Sequence, residues 1–166
     1  DIRHRFYTTN DIENLFNALK TLYLNYKSAE LFFANSNTLK ENISFFSNQM
    51  IKYTNQKSNL SLGIKFMFPD PKKGSACKRM NLFLRWMVRK DEIDFGLWKN
   101  ISKSELIIPV DTHIAKIAYK LKLTNRKNVT WKMAEEITDN LKKFDSEDPV
   151  KYDFALCHLG IRKLEF

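Results

Sequence analysis

Turn-forming residues are scarce in this 166-residue chain, which has only four Gly and four Pro. That leaves too few tight turns for a β-sandwich or barrel and favours long helices. Cysteine is rare as well: Cys77 and Cys157 lie far apart and form no CxxC pair. The three histidines are scattered, so no segment has the ligand spacing of a zinc site or of a four-cysteine iron–sulfur cluster. We therefore expect free thiols, no metal and no cofactor.

Long apolar runs are missing too. None approaches the ~18 residues of a membrane-spanning helix, and the N-terminus lacks the apolar stretch of a signal peptide. These patterns predict a cytoplasmic protein with no membrane partner. The chain begins without Met, which is typical of a trimmed or partial sequence, so we allow for N-terminal helices that precede it.

What the chain does contain is enough apolar surface to fold. Hydrophobic residues make up 43% of it, including 13 Phe, 6 Tyr and 3 Trp, which excludes disorder by composition. The length supports one domain with a real core and is too short for two ordinary ones. We predict a single helical domain over residues 1–166, with N-terminal helices and a connector in 1–74 and a second segment in 75–166, and we expect a monomer.

Apolar residues recur with helical spacing along most of the chain, and no stretch alternates as a strand would. Thr9 and Asn10 are the N-cap candidates of the first helix. Ser102 and Glu105 form a capping-box pattern before a short helical turn that Pro109 ends, and Gly160 is expected to close the last helix. The predicted helices cover 11–33, 38–53, 75–89, 111–121, 130–144 and 148–158, with a connector at 55–74. The predicted fold class is all-α.

Positive charge is concentrated in one part of the chain. The formal net charge is +9, and residues 65–90 hold a single acid, Asp70, among the basic residues Lys65, Lys72, Lys73, Lys78, Arg79, Arg85, Arg89 and Lys90. A polyanion such as nucleic acid is the natural partner, although many basic surfaces only aid solubility. An anionic membrane surface is a weaker alternative, because this segment mixes loop and helix and forms no continuous basic amphipath.

Asp111 lies in the segment Ile-Pro-Val-Asp-Thr-His-Ile, directly before a basic amphipathic helix. A capping aspartate need do no more than accept a backbone N–H, a contribution of about 1 kcal/mol. The string Val-Asp-Thr-His-Ile, however, resembles the segment that bears the catalytic aspartate of the helix-hairpin-helix (HhH-GPD) DNA glycosylases. The resemblance implies that Asp111 is the essential carboxylate. An ionised carboxylate beside C1′ stabilises the positive charge that develops on the sugar, and a helix N-terminus helps to keep it ionised.

A wider resemblance covers residues 75–160, which look like an uncharacterised bacterial family allied to these glycosylases and most similar to their archaeal 8-oxoguanine (GO) branch. Taken alone, the basic residues of the predicted 75–89 helix would bind solvent or phosphates. The resemblance instead aligns Lys78 with a lysine nucleophile, which would form a Schiff base at C1′ and permit β-elimination. That chemistry needs a neutral amine, and Arg79 and Arg85 are cations that could help to provide it.

The closing helix of that branch supplies an aspartate and, one turn later, an aromatic residue that contact the extruded base. Asp153 matches the acid, but Cys157 stands where the aromatic would be. Stacking on the base is therefore assigned to Trp86, Trp98 or Phe154. Asp148 with Pro149 is interpreted only as a helix start.

Two features of the superfamily are missing from the sequence. No Gly-rich hairpin is recognisable between Lys78 and Asp111, where only Gly96 occurs, and there is no C-terminal cysteine quartet. The predicted function is a DNA-repair glycosylase for an oxidised purine such as 8-oxoguanine, with AP lyase activity, acting on double-stranded DNA in the nucleoid. The alternative is a non-catalytic nucleic-acid-binding module on the same scaffold. The expected DNA contacts are Lys72, Lys73, Arg79, Arg85, Lys99 and His113.

Overall fold

The computed structural model describes residues 7–34, 38–54 and 60–161. These residues form eight α-helices and no β-strand, which confirms the all-α prediction; an isolated bridge joins Lys90 and Phe95. None of the described helices is both long and apolar enough to cross a membrane. The chain divides into two compact units, Asp1–Lys72 and Lys73–Phe166.

The N-terminal unit contains four helices: α1 (Thr9–Tyr26), α2 (Ala29–Phe33), α3 (Leu39–Tyr53) and α4 (Leu62–Met67). The prediction of one helix over 11–33 was wrong. Lys27 adopts a left-handed conformation that ends α1, and the Ser28 side chain caps α2. The predicted caps Thr9 and Asn10 lie inside α1, because Thr8 forms the capping box with Asp11.

The predicted connector at 55–74 is also more ordered than expected, although its residues 55–59 lie outside the described ones. Ser61 caps α4 by accepting from the Ile64 N–H, and a 3₁₀ turn covers Pro71–Lys73. Phe68 is buried against Phe46, with 6.3 Å between ring centroids. The core of this unit consists of fully buried side chains from α1, α2, α3 and α4, namely Leu22, Phe32, Phe33, Ile43, Met50 and Ile64.

The C-terminal unit contains α5 (Lys78–Val88), α6 (Thr112–Lys120), α7 (Trp131–Lys142) and α8 (Asp153–Ile161). The helix predicted over 75–89 begins later than expected, because Cys77, in a left-handed conformation, is the N-cap of α5. The Ser102–Glu105 capping box is confirmed and starts a 3₁₀ turn over Lys103–Glu105. A core of fully buried side chains, among them Leu84, Ile108, Ile114, Trp131 and Met133, holds the unit together.

The end of the chain differs from the prediction at both of its boundaries. Asp148 and Pro149 start a 3₁₀ turn over Pro149–Tyr152, and α8 follows from Asp153. Gly160 does not end this helix, which continues to Ile161. Helix α6 packs against α8, and Asp153 at the start of α8 is near enough to Asp111, the N-cap of α6, for the charge of Asp111 to raise its pKa.

Candidate active site

Asp111 is held at the start of α6 by the buried extended segment before it. Ile108 and Val110 are at most 1% exposed, and Asp111 is the N-cap residue. Its Oδ1 accepts hydrogen bonds from the backbone N–H groups of His113 and Ile114, each at 2.9 Å. The second carboxylate oxygen therefore stays available to a partner outside the helix.

That partner is Lys78, the first residue of α5. The distance between Lys78 Nζ and Asp111 Oδ2 is 2.5 Å, although 33 residues separate them in sequence. The side chains are 42% and 30% exposed, so the pair is reachable from solvent. The left-handed backbone at Cys77, whose N–H is bonded to Ser75 Oγ at 3.2 Å, sets where α5 begins and so where Lys78 lies. The two residues predicted to be catalytic thus meet in space.

The environment of Asp111 favours its charged form. Partial burial raises its pKa, but the hydrogen bond from Lys78, the N–H groups of Ile114 and His113 and the charge of Lys78 together lower it below the usual value of 3.8. Asp111 is consequently a carboxylate at neutral pH.

A buried ion-pair network lies further along α5. Arg85 donates from Nη1 to Asp153 Oδ2 at 2.6 Å and from Nε to Asp94 Oδ2 at 3.1 Å. Its side chain is only 6% exposed. The predicted phosphate contact by Arg85 does not fit this position, because the guanidinium is committed to two carboxylates inside the protein.

Asp153 is tied electrostatically to the Lys78–Asp111 pair. Burial raises the pKa of Asp153 above 3.8, the charges of Arg85 and Lys78 oppose that rise, and the charge of Asp111 adds to it. One turn later on α8, Cys157 Sγ lies 4.0 Å from Asp153 Oδ1. Burial raises the pKa of this thiol, and the charge of Asp153 raises it further.

The second arginine of this network is Arg89, which was not predicted to be a site residue. Its Nε donates to Asp148 Oδ1 at 2.9 Å, and its Nη1 donates to Asp91 Oδ2 at 2.7 Å and to Asp94 Oδ2. The Asp148 side chain therefore forms an ion pair with Arg89 and does not cap a helix. The i, i+4 spacing of Arg85 and Arg89 places both on one face of α5, a signal that could have indicated a shared set of acids.

The three aromatic candidates for base stacking have different environments. Trp98 is buried, with its ring edge-on to Phe83 at 5.5 Å between centroids, so it offers no open face for a base. Trp86 is 39% exposed and Phe154 is 50% exposed. The ring of Phe154 packs edge-on against His158 at 4.3 Å.

The remaining predicted DNA contacts lie on the surface. Lys72 and Lys73 are exposed in the 3₁₀ turn at the boundary between the units, Lys72 in the N-terminal and Lys73 in the C-terminal one. Arg79, Lys99 and His113 are also exposed. Within 7–34, 38–54 and 60–161, no group of three or more His, Cys, Asp or Glu side chains could hold a metal ion.

Comparison with known proteins gives a family but no activity. No curated protein matches the chain, and no solved structure does. The glycosylase resemblance therefore stays a prediction that depends on the residues above. A family model described as "Protein of unknown function (DUF2400)" matches residues 1–162, nearly the whole sequence, and the chain belongs to that family.

Proposed function

We propose that this protein is a DNA-repair glycosylase that excises a damaged base, an oxidised purine such as 8-oxoguanine, and then cleaves the abasic strand. One observation carries the proposal: Lys78 Nζ lies 2.5 Å from Asp111 Oδ2. An amine and a carboxylate in contact, both partly open to solvent, are the two groups that a glycosylase with lyase activity requires.

Asp111 supplies the negative charge. Breaking the bond between C1′ and the base leaves positive charge on the sugar, and a carboxylate fixed beside it stabilises that transition state. Two backbone N–H groups hold Oδ1 of Asp111 in place, so the group does not have to reorganise during the reaction.

Lys78 supplies the nucleophile. Its hydrogen bond to Asp111 gives the ammonium proton an acceptor as the amine approaches C1′. The bond from Nζ to C1′ forms while the bond from C1′ to the base breaks, and the departing base takes the electron pair and a proton. The attached nitrogen then loses a proton and the bond from C1′ to the ring oxygen breaks, with a proton added to that oxygen, which gives the Schiff base. Removal of a C2′ proton then breaks the bond from C3′ to the phosphate oxygen, which is the β-elimination step.

The base and the strand are assigned to neighbouring residues. The predicted base contact by Asp153 does not fit its position, because its side chain is buried and its Oδ2 is bound to Arg85. The exposed rings of Trp86 and Phe154 are therefore the candidates for contact with the extruded base. Lys72, Lys73, Arg79, Lys99 and His113 are assigned to phosphates, which makes binding salt-sensitive. A substrate of this kind implies association with the nucleoid.

Base release from defined duplexes tests the proposal. Duplexes that contain 8-oxoguanine, uracil or an abasic site are incubated with the wild type and with Asp111→Asn. The variant is expected to lose base release while it still binds DNA. Asp145→Asn is the matched control, because Asp145 forms a comparable ion pair with Lys151 on the surface, and it should keep full activity.

Borohydride trapping tests the lysine separately. Reduction of the Schiff base should link the wild-type protein covalently to DNA, and Lys78→Gln should abolish the adduct. Lys151→Gln, the control, should still be trapped. An adduct that survives Lys78→Gln would remove Lys78 from the mechanism.

The second candidate is a nucleic-acid-binding module without turnover. It is favoured by the fact that both oxygens of Asp111 already accept hydrogen bonds, as in an ordinary helix cap. This reading predicts binding that weakens steeply with salt, no base release from any lesion, and an Asp111→Asn variant altered only in stability. A panel of damaged bases decides between the two.

A further inference from the structure

A basic groove of about 570 Å³ lies on the C-terminal unit, between the exposed face of α6, the segment 126–129 and the start of α7. Apolar side chains line part of it, namely Ala115, Val129 and Met133, and its cations are Lys116, Lys120, Arg126 and Lys127. None of the described residues that line it is acidic. The groove therefore combines an apolar surface with a positive rim.

Most of these cations are not neutralised by the protein. Arg126 pairs with Glu136, at 2.6 Å from Nε to Oε2. Lys116, Lys120 and Lys127 make no ion pair with any carboxylate of the described part of the chain. Lys116 and Lys120 are also spaced i, i+4 on α6, where like charges repel. A bound anion would relieve that repulsion, so the charge favours a phosphate-bearing ligand.

The groove also contains an aromatic ring. Tyr119 lines it and is 52% exposed, on the same helix as Lys116 and Lys120. Base-on-aromatic stacking needs a base whose face is free, and the faces of bases inside a duplex are covered by their neighbours. Cations combined with an open aromatic ring are typical of surfaces that bind single strands.

We propose that this groove binds single-stranded DNA, with one base stacked on Tyr119 and the flanking phosphates on Lys116, Lys120 and Lys127. Thr112, which also lines the groove, directly follows Asp111, so the strand would pass beside the candidate active site. The binding itself needs no catalysis and does not depend on the proposed glycosylase activity.

Fluorescence anisotropy with a labelled oligothymidylate of about 12 nucleotides, within the range of known single-strand sites, tests the stacking. Tyr119→Ala should weaken binding by about 5- to 150-fold, the loss expected for one stacked base. Tyr119→Phe keeps a ring of the same shape and should bind within about threefold of the wild type. Thermal melts of both variants verify that they are folded.

The salt dependence of binding tests the phosphate contacts. Lys116→Gln/Lys120→Gln should make the slope of log K against log salt less steep by about 1.4, which is 0.7 for each lost single-strand contact. The control, Lys103→Gln/Lys143→Gln, removes the same net charge from exposed lysines outside the groove, Lys143 being beyond the far end of α7. Its slope should equal that of the wild type.

Several results would overturn the inference. These are no binding of the oligothymidylate, a loss of blunt-duplex binding in Tyr119→Ala as large as its loss of oligothymidylate binding, competition by thymidine monophosphate as strong as by the oligonucleotide, or equal losses in the groove and control variants. Asp111→Asn, with its side chain outside the groove, should bind the oligonucleotide like the wild type. A protein that does not excise bases could therefore still bind the oligonucleotide in the groove. Likewise, a negative binding result would not change the outcome expected in the excision assay.

Discussion

Arg85 and Asp153 lie 68 residues apart in sequence, yet Arg85 Nη1 donates to Asp153 Oδ2 at 2.6 Å with both side chains buried. The contact joins the middle of α5 to the first residue of α8. Because Arg85 also binds Asp94, a single guanidinium holds both the start of α8 and the loop that follows α5.

Removing the Arg85 guanidinium should lower the stability of the protein. Arg85→Met leaves Asp94 and Asp153 buried without their shared partner, and we expect a loss of about 3–5 kcal/mol in the free energy of unfolding. Arg126→Met breaks a comparable pair at the surface, where both side chains are partly exposed, and should cost at most about 1 kcal/mol. Urea denaturation measures both variants; equal losses would contradict the network's role.

The pH dependence of stability should report on Asp111. Its pKa is lower in the folded protein than the 3.8 it has when unfolded. Such a carboxyl contributes stability above the unfolded value, and the contribution is lost as the pH falls through the folded value. The difference in unfolding free energy between the wild type and Asp111→Asn should thus be constant near neutral pH and shrink below about pH 4. If the difference in unfolding free energy instead grew towards acid pH, the pKa of Asp111 would have to be raised, not lowered, by folding.

Two glycines provide a matched test of local crowding. Both have positive φ, but a Cβ at Gly96 would lie 2.5 Å from Lys90 Cβ, whereas one at Gly74 meets no atom within 4 Å. Gly74→Ala should cost about 1–2 kcal/mol for its backbone conformation alone. Gly96→Ala carries the steric clash in addition and should cost more. Thermal or urea unfolding of the two variants gives the comparison, and similar values would refute it.

The end of α6 offers a stabilising substitution. Lys122 follows the C-cap with φ of 57°, and the Leu123 N–H bonds to the Ala118 carbonyl at 2.8 Å, as in a Schellman motif. Lys122→Gly should raise the free energy of unfolding by about 1 kcal/mol. Lys116→Gly, inside the same helix, should lower it by about 1 kcal/mol. A loss of stability in both would rule out the cap as the cause.

Sequence periodicity was sufficient to predict the fold class, because apolar residues at helical spacing mark helices regardless of their tertiary contacts. The predicted helix boundaries were wrong where a residue other than glycine adopts a left-handed backbone conformation. Lys27 ends α1 and Cys77 precedes α5, and neither residue type signals such a turn. At Gly160 the error was the reverse, since a residue typical of helix ends lies inside α8.

The candidate site was predictable only in part. Asp111 and Lys78 were identified by resemblance, and nothing in their spacing shows that they touch. Arg85 was assigned to DNA because a cation on a helix normally faces solvent. Its acids come from a loop and from another helix, so only the tertiary fold reveals that it is buried.

The sharing of Asp94 between Arg85 and Arg89 has a consequence for motion. Any fluctuation that moves this loop away from α5 must break a buried ion pair of both arginines at once, and it leaves Arg85 with Asp153 and Arg89 with Asp148. Small local openings are therefore disfavoured, and α5 and the loop that follows it are expected to open together as one cooperative unit.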